Sequence, residues 1–434
     1  MQHIEIWALI PFVLMLLSIA IIPLIAEHWW ERNINKLLVS TTLAAPAIIY
    51  LVKHNLREEL KHQILFDYLP FIVLLGALFV VTGGILILGH VQARPRNNTI
   101  ILAIGYLLAS FIGTTGASML LIHPLLYVNK YRENKTHTIL FFIALVANCG
   151  GILSPLGDPP LFLLYLRGVE FTWFLKLLPE WIFVGASLLT IYFFTDKRFY
   201  YKEEKTEMIM ADFRERSVFS IKGGINIIYL LCIISAVLFI NSSYIPEMGE
   251  HDAPLYMKFL REITLVAITL LSLLTTPKKI RQDNHFTWAP IVEVAYIFIG
   301  IFITMTPALL FLSANAQKLG ITQPWQFFYS SGVLSAFLDN SPTTIAFHTV
   351  AQNIHSTSEV MVAGVEELIL KAIAMGAVFF GAVTYIGNGP NFMVKAIAEQ
   401  EGVKMPGFFG YIVSFSLKVL LPIYIVTQII FLHK

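Results

Sequence analysis

Two carboxylates stand where charge should be excluded. Asp339 opens Asp339-Asn340-Ser341-Pro342 inside an apolar run, and Asp158 lies in Gly157-Asp158-Pro159-Pro160 inside another. An ionised carboxylate is expensive in hydrocarbon, so an intramembrane acid faces a cavity or a partner and is functional by default. The same stretches supply neutral oxygen groups. They are Thr114, Thr115 and Ser118; Asn340, Ser341, Thr343 and Thr344; Asn148 and Asn388; and the bare backbone of Gly157 and Gly387. Hard cations take ligands of this kind, so Na⁺ (or Li⁺) is the expected guest, at Asp339, Asn340 and Asp158. Burial favours the protonated form of a carboxylate, and a bound cation favours the ionised form. A site that holds either a proton or Na⁺ exchanges one for the other. His348, His123 and Glu293 are candidates for a proton relay. Plainer roles compete: aspartate caps helices, amides satisfy freed backbone, and single histidines pack in cores.

The elements that carry these residues must lie in a membrane. Of 434 residues, 56% are hydrophobic and 13% charged, and mean hydropathy is +0.71. Soluble domains average roughly 25% charge. Apolar runs near the ~20 residues that cross a bilayer recur throughout. Net charge of +2 gives no reason to expect a nucleic-acid partner; membrane lipid, a small inorganic cation and the proton are the partners implied. Cys149 and Cys232 make neither a disulfide framework nor a metal-ligand spacing. The first run, Ile6–Ala26, lacks a basic leader and reads as a retained helix. No P-loop, H-E-x-x-H or G-x-S-x-G occurs. The chain is therefore not expected to be an enzyme or an ATP-driven pump, and an ion gradient is the expected energy source. No cofactor is implied.

Spanning helices are expected near 5–26, 37–52, 65–89, 137–166, 177–195, 224–241, 260–276, 289–313, 367–394 and 408–432. The stretches 99–128 and 325–352 are interrupted by polar residues. Each half has about 13 residues, ~20 Å of helix, too short to span. Each stretch therefore reads as a re-entrant hairpin with a polar tip sheltered by protein or a water-filled cavity. With both hairpins returning to their side of origin, nineteen Lys and Arg collect on one side and nine on the other, with Lys371 and Lys418 inside helices. The richer side, which includes Lys36 and the loop Lys197–Gly223 with Lys205, Arg214 and Arg216, is the expected cytoplasm. Lys434 falls on the poorer side, and both termini face out. Trp29, Trp30, Trp173, Trp288 and Trp325 read as interface residues.

The interruptions repeat. A shift of 226 lays Ala109–Ile122 on Ser335–His348, bringing Gly113 onto Asp339, Thr114 onto Asn340, Thr115 onto Ser341 and Ser118 onto Thr344. It also lays Asp67 on Glu293. A shift of 230 brings Gly157 onto Gly387, Asp158 onto Asn388 and Pro160 onto Pro390. The chain divides into two N-terminal helices (1–64), repeat 1 (65–196; hairpin 99–128, broken helix 137–166), a loop with two linking helices (197–288), and repeat 2 (289–434; hairpin 325–352, broken helix 367–394). An odd number of crossings separates the copies, so the second is inverted. The expected fold is an all-α polytopic membrane protein of about ten transmembrane helices, two re-entrant hairpins and two inverted repeats. Paired breaks in inverted repeats mark secondary transporters, with the site at the midplane.

These residues also carry a resemblance. Gly113–Ser118 and Asp339–Thr344 occupy the place of the sodium-binding Ser-Asn-Thr tips of the ion-transporter superfamily, which includes divalent-anion/sodium symporters, arsenite permeases and sodium:proton antiporters. Ala147–Pro160 is similar to the antiporter and arsenite branches. Pro290–Pro307, with Phe337–Thr343, resembles a group of sodium:proton antiporters and citrate transporters. Neither tip keeps an intact Ser-Asn-Thr, a departure from the carboxylate symporters. The resemblance implies alternating access in a bacterial-type inner membrane, and a homodimer. Sodium/proton antiport, with export of Na⁺, is the leading expectation. A proton- or sodium-coupled citrate or dicarboxylate transporter is the main alternative, with the carboxylate carried alone or as a metal complex. Arsenite efflux, with Cys149 beside a break, is a further one. An intramembrane hydrolase built on Ser154 or Ser341 is disfavoured by the duplicated breaks.

Overall fold

The computed structural model describes residues 4–89, 91–203, 220–250, 252–354 and 360–433. Lys205, Arg214, Arg216 and Lys434 lie outside them. The protein is an all-α polytopic membrane protein. Among the described residues, 7 helices are long and apolar enough to cross a bilayer.

In chain order the principal helices are α1 (Ile10–Ile25), α2 (Asn33–Lys53), α3 (Leu69–Thr82), α4 (Pro95–Ile112), α5 (Thr114–Val128), α6 (Thr136–Leu145), α7 (Pro159–Leu166), α8 (Leu178–Tyr200), α9 (Ile225–Phe239), α10 (Leu260–Thr275), α11 (Ala289–Asn315), α12 (Pro324–Phe337), α13 (Asn340–Gln352), α14 (Glu367–Phe380), α15 (Gly389–Gln400) and α16 (Leu421–Phe431). A π-helical stretch, Ile412–Leu420, leads into α16. Two short antiparallel ribbons complete the chain: β1 (Leu86–Leu88) with β2 (Ser220–Lys222), and β3 (Met361–Val362) with β4 (Val365–Glu366).

The interrupted stretches are antiparallel hairpins and split helices. A single residue, Gly113, joins α4 to α5, at φ 82°, where a side chain would be strained. Leu338 and Asp339 join α12 to α13. α6 and α7 are separated by an unwound segment holding a short turn, Cys149–Leu153, and α14 and α15 by one holding Gly381–Val383. Proline starts or nearly starts each second half, at Pro159 and Pro390, where the missing N–H costs nothing.

The two copies share hydrogen bonds. Ser154 Oγ donates to the Ser110 carbonyl, and its counterpart Thr384 Oγ1 to the Ala336 carbonyl. Leu156 N donates to Ser154 Oγ at 3.1 Å, and Ile386 N to Thr384 Oγ1 at 3.2 Å. Packing is shared too, with bulk exchanged between partners. Gly105 faces Val146, whereas the counterparts Ser331 and Gly376 reverse small and large. The Tyr106 backbone lies against Gly150, whereas its counterpart Gly332 lies against the ring of Phe380. Close-packed interiors conserve volume at a contact more readily than they conserve which side supplies it.

Several expectations change. The helix expected over 65–89 ends at Thr82, because Gly83 and Gly84 admit Phe286 and Asn226 against the backbone and the chain continues as β1. Lys36 is no loop residue: it is buried in the first turn of α2 and pairs with Glu293 at 2.8 Å. Its counterpart acid Asp67 pairs with Arg167 at 2.8 Å. Trp30 and Trp173 are buried rather than interfacial, and Trp173 Nε1 donates to Glu367 at 3.0 Å. Trp29, Trp288 and Trp325 are exposed. Lys371 bonds Glu180 at 3.1 Å and the Lys176 carbonyl at 3.0 Å instead of snorkelling free. Lys418 is exposed. The spans read at 224–241 and 260–276 are helices of 15 and 16 residues.

Candidate functional site

Both tips and both breaks meet at Asp158. Its backbone is extended (φ -146°, ψ 144°) at the start of α7, and Asn388 has nearly the same conformation (φ -151°, ψ 140°) at the start of α15. Oδ1 accepts from Thr114 Oγ1 at 2.7 Å and from Asn388 Nδ2 at 3.1 Å. Oδ2 accepts from Asn340 Nδ2 at 2.5 Å. Thr114 and Asn340 are the repeat counterparts at the tips, and Asp158 and Asn388 those at the breaks. The repeat therefore converges on one carboxylate. All four side chains are buried, and all three partners of Asp158 are uncharged.

The glycines make this approach feasible. A Cβ on Gly157 would overlap the carbonyl of Gly151, and one on Gly387 would crowd the Gly381 and Ser335 carbonyls. Thr114 N donates to the Gly157 carbonyl at 2.7 Å, locking tip to break. A second amide cluster braces the other side. Asn148 Nδ2 donates to Asn391 Oδ1 at 2.6 Å and to the Ile143 carbonyl at 2.8 Å. Asn391 donates to the carbonyls of Gly381 and Thr384 at 2.7 and 2.9 Å. These bonds satisfy backbone that unwinding releases.

Asp339 serves the tip as a cap. Its Oδ1 accepts from Ser341 N at 2.9 Å. Nothing joins its carboxylate to Asp158 directly, though the two interact electrostatically. Thr343 and Thr344 donate to the carbonyls of Asp339 and Asn340 at 3.0 and 2.8 Å, and Ser341 Oγ lies 3.4 Å from Asn340 Oδ1. Thr115 stays outside the cluster and lines a cavity of about 60 Å³ with Gly113, Thr114, Gly157 and Pro159. Ser118 is buried one turn beyond Thr114, with no partner for Oγ among the described residues. His348 is buried on α13. His123 lies apart, its ring 5.0 Å from that of His285. Glu293 is held by Lys36, also away from the cluster. Asn391, Ser110 and Arg167 were missed by residue reading. Ser154 and Thr384 could have been found as counterparts under the 230 shift.

Among the described residues no group of three or more His, Cys, Asp or Glu could hold a metal ion. The Asp158 cluster offers one anionic ligand among neutral ones, chemistry for a proton or a monovalent cation.

Paired hairpins and paired broken helices closing around one buried polar cluster are the construction of a membrane transporter. The chain belongs to the family described as "Putative citrate transport", whose model matches residues 1–432. No curated protein matches it.

Proposed function

We propose that the protein is a secondary active transporter that moves a citrate-type carboxylate across the membrane, coupled to a cation or proton held at Asp158. The observation that carries this reading is the convergence of Thr114, Asn340 and Asn388 on that single carboxylate. An ionised Asp158 has no countercharge among its hydrogen-bond partners. Uncompensated burial of a carboxylate costs several kcal/mol. Binding a proton or Na⁺ removes that cost and would let the hairpin-bearing elements move, and an empty site opposes movement. The membership in a citrate-type family supports the carboxylate as cargo. Both termini outside, in a bacterial-type inner membrane, is the orientation we propose from the lysine and arginine bias.

Sodium/proton exchange is the second reading. The Asp158 cluster supports it, with a single anionic group and no lysine or arginine among the hydrogen-bond partners of that carboxylate. Purified protein in vesicles with a trapped pH dye separates the two. Citrate-dependent proton movement, with no response to Na⁺ alone, supports citrate transport. Na⁺- or Li⁺-dependent proton movement without citrate sinks it in favour of exchange. In both cases Asp158→Asn should abolish the signal.

A further inference from the structure

We infer that the end of α7 is a latch: Tyr165 and Arg167 fasten the helices that carry the Asp158 cluster to a separate helical scaffold, and the fastening opens in each transport cycle. The inference rests on the reading of the protein as a transporter whose hairpin-bearing elements move, and adds the place where that movement is held.

Side-chain bonds tie the helices into two sets. In the scaffold, Asn33 at the start of α2 donates to the Ala289 carbonyl of α11 at 3.1 Å. Tyr68, just before α3, donates to the Ala295 carbonyl of α11 at 3.0 Å. Asn226 of α9 donates to Thr276, after α10, at 2.8 Å, and α9 and α10 pack on α3. The second set holds both hairpins and both broken helices. Tyr106 of α4 donates to the Trp181 carbonyl of α8 at 2.8 Å, Thr136 of α6 to the Lys404 carbonyl beyond α15 at 2.9 Å, and Ser335 of α12 to the Ala377 carbonyl of α14 at 2.6 Å.

α7 reaches from one set to the other. It starts at Asp158, and its far end meets the scaffold. Tyr165 Oη donates to the Val237 carbonyl of α9 at 2.7 Å. Arg167 Nη2 donates to Asp67 Oδ2 at 2.8 Å and lies 3.5 Å from Gln63 Oε1. Both acceptors belong to a π-helical stretch, Gln63–Tyr68, that leads into α3; such stretches are frequent at functional sites. The Arg261 guanidinium of α10 stands 5.4 Å from the Tyr165 ring and 5.6 Å from the Phe162 ring, within reach of cation–π attraction.

Where the first hairpin tip meets the scaffold, the seam is apolar. Leu75, Leu78 and Phe79 of α3 and Ile291 and Val294 of α11 line the cavity of about 60 Å³ that Thr115 also lines. Apolar contact is non-directional, so it does not hold one register of the two sets against another. The hydrogen bonds at the end of α7 do.

Repeat 2 is fastened differently. Under the 230 shift the counterparts of Phe162, Tyr165 and Arg167 are Phe392, Lys395 and Ile397 of α15. Lys395 pairs with Glu399 of its own helix at 3.3 Å and stands 5.4 and 5.6 Å from the rings of Tyr385 and Phe392. None of these contacts reaches the scaffold. The inverted copies therefore share the central cluster and differ in what holds the far end of the broken helix.

The latch lies where it can be released. Tyr165, Arg167, Asp67 and Arg261 line a surface cavity of about 450 Å³, and the Arg167 side chain is 26% exposed. Water in that cavity solvates the charges as they part, so opening does not strand an ion in a sealed interior.

The test uses full-length protein in vesicles, with Cys232→Ser removing the exposed thiol. Asp67→Cys and Arg167→Cys are joined by a short bis-thiosulfonate reagent that a reductant cleaves. Lys176→Cys with Glu367→Cys is the control, an ion-paired position at 2.6 Å that lies wholly within the moving set. Counterflow of labelled citrate is read before and after reduction. The joined latch should slow it at least tenfold, and reduction should restore it. The joined control should stay within about twofold of its reduced form. Undiminished counterflow through the joined latch overturns the inference. Equal loss in the control also overturns it, since any tether would then stop the protein. A second measurement needs no cargo: maleimide labelling of Thr115→Cys, in the seam, should change at least threefold when Arg167→Gln is added, and equal labelling overturns the latch. If the double-cysteine protein does not fold, or wild type ignores citrate, the labelling decides, which tests the latch separately from the citrate reading.

Discussion

Asn340 and Asp158 are 182 positions apart in the chain, and Asn340 Nδ2 lies 2.5 Å from Asp158 Oδ2. One belongs to a hairpin tip of the second repeat and the other to a helix break of the first. Their contact ties the two halves together at the one buried carboxylate that both address.

Asp158→Asn should reduce coupled flux by at least a hundredfold in reconstituted vesicles. The amide removes the only charge and turns one acceptor into a donor facing Thr114, Asn340 or Asn388. A donor left facing a donor costs about 1–3 kcal/mol, whereas loss of the buried charge acts in the opposite sense, so flux and not the melting temperature is the readout. Retained flux at wild-type level would remove Asp158 from the mechanism.

Gly157→Ala should fail to accumulate as folded protein, or melt well below wild type. The new methyl would occupy the place of the Gly151 carbonyl, and backbone cannot yield as a flexible side chain can. Overpacking a tight core costs about 1–3 kcal/mol and sometimes more. Gly389→Ala is the control, since nothing lies within 4 Å of the position a Cβ would take. Thermal unfolding of the pair should separate them clearly.

The exchanged bulk between repeats predicts a rescue. Gly332→Tyr alone should clash with Phe380, and Phe380→Gly alone should leave a cavity. The double variant removes the ring that the new side chain would meet and gives the pair the residue types of Tyr106 and Gly150 in repeat 1. It should recover part of the lost stability, with a coupling energy of about 1–3 kcal/mol in a double-mutant cycle. Strict additivity would show that the packing exchange is incidental.

Lys36 and Glu293 should respond unequally to substitution. The lysine side chain is 4% exposed and the acid 41%. Glu293→Gln strands a buried ammonium with Asn33 at 3.3 Å and the Trp30 ring at 6.0 Å as its neighbours. Lys36→Met leaves a carboxylate that is already exposed near the start of α11. Breaking a buried pair is costly when the stranded charge stays buried, so Glu293→Gln should lower the melting temperature more. The opposite order would contradict the burial difference.

Much of this fold was written in local sequence. Hydrophobic runs specify spanning helices, because helix is the open-chain structure that satisfies its own backbone in lipid. Polar interruptions at two offsets, 226 and 230, specified hairpins, breaks and their pairing, since a duplicated segment keeps its local chemistry. Gly113 and Gly157 were legible for the same reason: only glycine suits a positive φ or a backbone contact.

Which polar residues meet was decided by tertiary structure. Asp158 and Asp339 look alike as acids in apolar runs. Packing makes one the shared centre and the other a cap, because only Asp158 faces both tips and the opposite break. Lys36, Trp30 and Trp173 carry no mark of burial in their neighbours along the chain. Their surroundings come from helices distant in sequence, and burial is a property of that three-dimensional neighbourhood.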